Sequence, residues 1–308
     1  MWLRACWPRC RSTPERVSAD PIPPAVRHRL STLRLVSRRL AGGDGLGLHT
    51  SRSRGAGLEF AQYRPYEPGD EPRQIDWKLF ARADRFFVRE AERESPLRLW
   101  IMIDASASMA QADADGATRI GAARGLAAAL SELAVAGGDR FGWIWLSECG
   151  LHVAAPANGT RQRDRLRLEL ATIRTGGGFP GPATLTPLWE RIAARDMVVL
   201  LSDFFDEAGV ALATRLAAAG REVLAIQILT VGERDFPFDG GHLFRDPETG
   251  EELLSDAPAL RTDYLQRFAE ARARLAAEFQ ASGIRHAAHV LDEPLDAPLR
   301  RLFGRAEG

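Results

Sequence analysis

Three side chains that end in oxygen stand at alternate positions in "WIMIDASASMA", residues 100–110: Asp104, Ser106 and Ser108. The apolar run before them reads as a buried strand, so the trio lies where that strand meets water. A second apolar run, "MVVLLSD", ends in the same way at Asp203. Such a set admits three chemistries: an acid beside a nucleophile, a cradle for phosphate, or oxygen ligands for a metal.

The first two lack parts. A serine hydrolase of α/β architecture presents its nucleophile in Gly-x-Ser-x-Gly at a sharp elbow. Here Ser106 lies in Ala-Ser-Ala and Ser108 in Ala-Ser-Met. A base is also required, and His152, His286 and His289 lie in or beside predicted strands, away from either strand tip. A P-loop needs Gly-Lys followed by Ser or Thr, yet the only lysine is Lys78, ahead of the sheet. A phosphotransferase built on Asp-x-Asp would need an acid where Ser106 stands and a later lysine. The third chemistry has what it needs. Asp104, Ser106, Ser108 and Asp203 form an all-oxygen set suited to Mg²⁺ or Mn²⁺, with waters completing an octahedron. Hydroxyl ligands leave much of the ion's charge unbalanced, which favours one more anionic oxygen from outside. That makes a docking point for a partner's acidic side chain.

Positioning these groups falls to a regular alternation of strands and helices that begins at Leu97. Strand "LRLWIMID" leads to a helix over residues 118–136, whose Ile120, Ala123, Leu126, Ala127, Leu130, Leu133 and Ala134 make one apolar face. Further strands and helices follow, with a polar hairpin around "RDPETGEELL", a long helix over 257–281 and a last strand, "IRHAAHVL". Continuous apolar strands between helices predict a doubly wound, mostly parallel sheet covered on both faces. Ligands in such sheets bind at the carboxyl ends of the strands. If the strands ending at Asp104 and Asp203 are neighbours, both acids share one crevice. The glycine-rich "TGGGFPG" borders it.

Upstream, residues 25–40 read as a basic helix, and strand-like pieces at 58–63 and 86–92 flank turn signals at Pro65, Pro68-Gly69-Asp70 and Pro72. Arg64, Glu67, Asp70, Arg73, Asp76 and Arg82 read as a salt-bridged collar with Tyr63, Tyr66 and Trp77 packed beneath. Residues 1–24 are interrupted by proline and arginine and read as a flexible arm without an apolar leader core. The expected division is an arm over 1–24, a helix and strand extension over 25–95, and the α/β domain over 96–304.

Composition narrows the class. The chain of 308 residues is 45% hydrophobic, ample for a core, and its 41 basic and 41 acidic residues cancel, which gives no case for nucleic-acid binding. All basic residues but Lys78 are arginine, so arginine abundance carries little weight. Cys6, Cys10 and Cys149 make no Cys-x-x-Cys pair and no even framework, which points to a reducing compartment. No apolar run is expected to span a bilayer. The expected location is cytoplasmic, with a peripheral place at the inner membrane surface as the alternative.

Asp104-x-Ser106-x-Ser108 and the later strand ending in Ser-Asp203 resemble the von Willebrand factor A domain and its metal-ion-dependent adhesion site. The preceding "RGAGLEFAQYRPYEPGDEPRQIDWKLFARADRFFVREAERE" resembles the signature of domain of unknown function family 58. Together they imply a von Willebrand factor A-like fold and a non-enzymatic protein-interaction module. In such a site the two serines ligate the ion directly, while Asp104 and Asp203 act directly or through water. The resemblance also implies a MoxR-type AAA+ ATPase as partner in complex assembly or maturation. One departure stands out. The adhesion site takes a threonine from a Gly-Gly-Thr loop, and here the loop reads Gly176-Gly177-Gly178. Thr184 is the candidate replacement, with Thr175 and Thr186 as alternatives. Two other readings stay open: a metal-dependent hydrolase using Asp104 or Asp203, and a structural scaffold whose site has degenerated.

Overall fold

The computed structural model describes residues 22–37, 60–66, 75–91, 96–245 and 252–304. The chain forms two compact units, Asp44–Pro96 and the remainder.

In the smaller unit β1 (Phe60–Pro65) runs antiparallel to β2 (Phe87–Ala91), and α2 (Trp77–Ala83) lies between them in sequence. Asp76 starts α2. Its buried carboxylate accepts from the backbone N–H groups of Lys78 and Leu79, both at 3.0 Å, and so satisfies two of the helix's unpaired donors. Asp76 therefore serves as a helix cap. Trp77, expected beneath the salt-bridged collar, is 59% exposed. It meets Phe80 and Phe86 edge-on, and those two rings stack at 4.3 Å. The first helical position of a cap turned outward leaves the indole on the solvent side. Glu67, Asp70 and Arg73 of the expected collar lie outside the described residues.

The larger unit begins with α1 (Pro24–Leu30). The expected helix over 25–40 stops early because Ser31 and Thr32 hydroxyls donate to the carbonyls of His28 and Arg29, at 2.6 and 2.9 Å, and compete with further helical bonds. Ile22, Val26, Leu30 and Leu33 join the main core, so this stretch belongs to the larger unit and not with the extension to which the sequence assigned it. Ile22 is 1% exposed, which takes it out of the expected flexible arm; residues 1–21 lie outside the described residues.

The rest is a six-stranded sheet. In chain order the elements are β3 (Arg98–Asp104), α3 (Arg119–Gly137), β4 (Arg140–Ser147), β5 (Gly150–Ala157), α4 (Thr160–Leu170), and two short helical turns, α5 (Pro182–Leu185) and α6 (Leu188–Arg191). Then come β6 (Met197–Ser202), α7 (Glu207–Ala218), β7 (Glu222–Leu229), α8 (Val231–Asp235), the hairpin β8 (Gly241–Arg245) and β9 (Glu252–Asp256), α9 (Ala257–Ala281), β10 (Arg285–Val290) and α10 (Ala297–Phe303). The sheet order is β10-β7-β6-β3-β4-β5, with β5 alone antiparallel to its neighbour. This is a von Willebrand factor A-like α/β fold.

Strand periodicity explains the two covered faces. In β3, Leu99, Ile101 and Ile103 enter one core with α1, α3, α4 and α10, while Trp100 and Met102 enter the other with α7 and α9. Successive side chains point to opposite faces, so a strand buried on both must be apolar throughout. Helix α3 is long and apolar enough to cross a membrane by length and composition alone, contrary to the sequence expectation. In this fold its Ala123, Leu126, Ala127, Leu130 and Ala134 are buried over the sheet.

Because Ile22 is a core residue, Ile22→Ala is expected to lower stability by about 2–4 kcal/mol in urea unfolding. A truncation through residue 24 should cost at least as much. An unchanged midpoint for Ile22→Ala would show that this segment does not hold its place.

Candidate metal centre

β3 and β6 are parallel neighbours with Ile103 opposite Leu201, so Asp104 and Ser202 leave the sheet side by side and Asp203 follows. From β3 the chain continues to β4 on one side, and β6 fills the other. The two acids therefore stand at the point where strand order reverses, where open α/β sheets bind ligands. Asp104, Ser106, Ser108, Ser202 and Asp203 are all buried there, Asp104 with 2% exposure.

Local bonds fix each group. Asp104 Oδ1 accepts from the Ser106 N–H at 2.9 Å, which folds the chain into the 3-10 turn Ala107–Ala110. Its Oδ2 accepts from the Ser202 hydroxyl at 2.6 Å, and that hydroxyl accepts from the Phe204 N–H at 3.1 Å. The turn after β6 is tight enough to hold Phe204 at φ 55°, a left-handed conformation costly for a bulky residue. Ser106 and Ser108 hydroxyls stand 3.0 Å apart. Asp203 Oδ1 accepts from Phe205 N–H at 3.1 Å, and Oδ2 from Arg119 Nη1 at 2.6 Å. Arg119 also donates to the Ser108 carbonyl at 2.9 Å and to Glu233, and its guanidinium lies 5.1 Å from the Phe205 ring centre.

The glycine-rich loop borders this turn, as its position in the sequence suggested. Ala107 N–H donates to Gly177 O and Gly176 N–H donates to Ala105 O, both at 2.9 Å. Gly177 has φ +66°, and a Cβ there would fall 2.2 Å from Glu148 Oε2; at Gly178 a Cβ would meet nothing within 4 Å. Glu148 is placed by its bond from the Gly178 N–H at 3.1 Å. Thr184 lies half-buried in α5, with no hydrogen bond to Asp104, Ser106 or Ser108. Thr186 donates to the Pro182 carbonyl at 3.3 Å.

Electrostatics mark the cluster. Burial, then the nearby Asp203 charge, push the Asp104 carboxyl up to about 7 against the bonds from Ser202 and Ser106. Burial also raises Glu233, opposing the Arg119 guanidinium that holds it down. Arg119 thus pairs with Asp203 and Glu233, and Asp104 has no cationic partner among the described residues. A cation would supply that partner. The Ser106 and Ser108 hydroxyls share a hydrogen bond of 3.0 Å, a separation that adjacent ligands of an octahedral ion with metal–oxygen distances of about 2.1 Å would also have. The residues present therefore fit a Mg²⁺-like ion held by Ser106, Ser108 and Asp104. Among the described residues no histidine serves this crevice. His286 and His289 are lowered to about 4, chiefly by burial, and lie on the edge strand β10. His152 stacks on Trp145 and pairs with Glu169 at 2.7 Å.

Sequence reasoning missed Ser202, Arg119 and Glu233. Ser202 carried a signal, since it precedes Asp203 at the strand tip. Arg119 carried another: it opens α3, where the helix dipole disfavours a cation.

The model of the family "Protein of unknown function DUF58" matches residues 62–274. This chain belongs to that family. An uncharacterized protein of Mycobacterium tuberculosis is 30% identical over 280 residues, 88% of this chain and 86% of its own length. Among solved structures, the conserved hypothetical protein BatB from Bacteroides thetaiotaomicron is similar at 15% identity and a TM-score of 0.38, covering 60% of this chain and 98% of its own. The SpRpn10 VWA domain is similar at 14% identity and a TM-score of 0.41, covering 70% of this chain and all of its own.

Two outcomes follow from the geometry. Gly177→Ala should cost about 1–3 kcal/mol through its left-handed backbone, while Gly178→Ala should stay within about 0.5 kcal/mol; thermal or urea unfolding of the pair checks this, and equal effects would contradict it. The second concerns pH. Asp104 binds its proton more tightly folded than unfolded, so its contribution to stability is full at low pH and is lost as pH rises through about 7. In chelator, wild type should lose stability relative to Asp104→Asn from about pH 4 to about pH 7, and Mg²⁺ should flatten that difference. Parallel curves would contradict the burial argument.

Proposed function

We propose that this protein is a metal-dependent protein-interaction module that docks a partner's acidic side chain. The observation that carries this reading is the pair of buried hydroxyls, Ser106 and Ser108, set 3.0 Å apart beside the buried carboxyl of Asp104. A Mg²⁺ or Mn²⁺ ion there relieves the acid's charge, and Thr184 remains the candidate for an additional oxygen. Such an ion supplies a Lewis-acidic position for a carboxylate from outside. The chain's own part is to hold the hydroxyls, orient Asp104 through Ser202, and keep the crevice dry.

Membership of the family supports an interaction role, and the sequence resemblance supports a MoxR-type AAA+ ATPase, or a client it remodels, as the partner. We read the site as binding and not catalytic.

Calorimetry should show Mg²⁺ binding to wild type and binding weakened at least about tenfold in Ser106→Ala, with the fold retained. A pull-down with the MoxR-type ATPase should lose the complex in that variant and in chelator. Binding retained in both would favour the scaffold. Phosphatase or esterase turnover abolished by the same substitution would favour the hydrolase.

A further inference from the structure

Arg119 breaks a local rule. A cation at the first position of a helix faces the positive end of the dipole, which costs stability unless anions hold it there. It is 2% exposed, and two carboxylates from two different loops meet it: Asp203 after β6 at 2.6 Å, and Glu233 in α8. Its place is fixed from behind as well. Thr118 caps the helix by accepting from Gly121 N–H at 3.0 Å, and Arg119 N–H donates to Gln111 O at 3.1 Å. Glu233 is held by a capping box, with Thr230 N–H donating to its carboxylate at 2.8 Å and Glu233 N–H to the Thr230 hydroxyl at 3.1 Å. Asp113, in the loop before α3, accepts from Val231 and Gly232 N–H groups at 2.9 and 3.2 Å and ties that loop to the same helix. The guanidinium therefore has little freedom to leave Asp203.

The consequence falls on the neighbouring oxygens. Arg119 Nη1 spans Asp203 Oδ2 and the carbonyl of Ser108, so one cation touches both an acid of the site and the backbone of a proposed ligand. With Asp203 neutralised by a fixed charge, an ion between the Ser106 and Ser108 hydroxyls is left with Asp104 as the one nearby anion that no cation pairs. We propose that Arg119 is a specificity-determining residue: by engaging Asp203 it keeps a divalent ion at Ser106 and Ser108 short of negative charge, and so reserves one position for a carboxylate from outside the chain. This deepens the function proposed above and rests on it.

The test uses the full chain and two probes, Mg²⁺ and acetate. Arg119→Gln with Glu233→Gln removes the guanidinium without stranding Glu233 and leaves Asp203 as the released acid; Arg119→Met with Glu233→Leu removes the same charges with apolar groups. Glu233→Gln alone keeps the guanidinium on Asp203 and is the control. Calorimetry of Mg²⁺ is run in chloride and in acetate at equal ionic strength. Wild type and the control should bind Mg²⁺ alike within about twofold, each more tightly in acetate, since coupling between two ligands is reciprocal. Either double variant that keeps its unfolding transition should bind Mg²⁺ about tenfold more tightly and lose the acetate effect. Unchanged or weaker Mg²⁺ affinity in a folded double variant, with the acetate effect intact, overturns the role of Arg119 and leaves the site standing. Absence of Mg²⁺ binding in wild type overturns the site itself, and this role with it.

Discussion

Asp104, Asp203 and Glu233 are carboxylates removed from water at the carboxyl end of the sheet, and the Arg119 guanidinium joins the last two. Buried charge is costly unless paired and hydrogen-bonded, so this end is organised around placing donors. Ser202 and the Ser106 backbone serve Asp104, Phe205 N–H and Arg119 serve Asp203, and Thr230 with Arg119 serves Glu233. The tight turn at Phe204 and the start of α3 at a cationic residue are both local costs. The first also seats the Phe204 ring in the core against Phe279, and the second answers the demand of Asp203 and Glu233 for a cation.

The frame that tolerates such costs is the parallel pairing of β3 with β6. Ile101 and Ile103 pack on one face, Met102 and Leu200 on the other. A one-residue slip would turn every side chain to the opposite face. Register is thus fixed by both cores at once, and register is what brings Asp104 level with Ser202. The glycine loop adds the second wall, because two backbone bonds join it to Ala105 and Ala107. Those bonds demand close approach, and Glu148 fills the space where a Gly177 side chain would stand.

Most of this frame was legible in the sequence. Period-two burial on both faces produces continuous apolar runs, and the two runs ending in aspartate announced a shared crevice. What lay hidden depended on partners far apart in the chain. Arg119 is one arginine in a chain with a single lysine, and its meaning comes from Asp203 and Glu233, 84 and 114 residues away. Likewise, Ile22 looked like part of a proline-rich arm because only tertiary packing buries it. Trp77 misled in the opposite sense. An aromatic beside dense charge reads as core, yet Asp76 is the buried residue of that pair and the indole faces out.

The same electrostatics argue for binding over chemistry. A carboxyl raised to about 7 is poised as a general base. A base must have a lone pair turned to the proton it takes, and both Asp104 oxygens already accept bonds from the chain. What raises its affinity for a proton is the same excess of negative charge that would draw in a cation. An ion held by Ser106 and Ser108 would satisfy that excess and pull the carboxyl back toward its ordinary range. Asp104 therefore cannot keep its basicity and hold a metal at once. If the ion is present, the reactive feature left at this end is the ion's own unfilled coordination, which is a feature that binds.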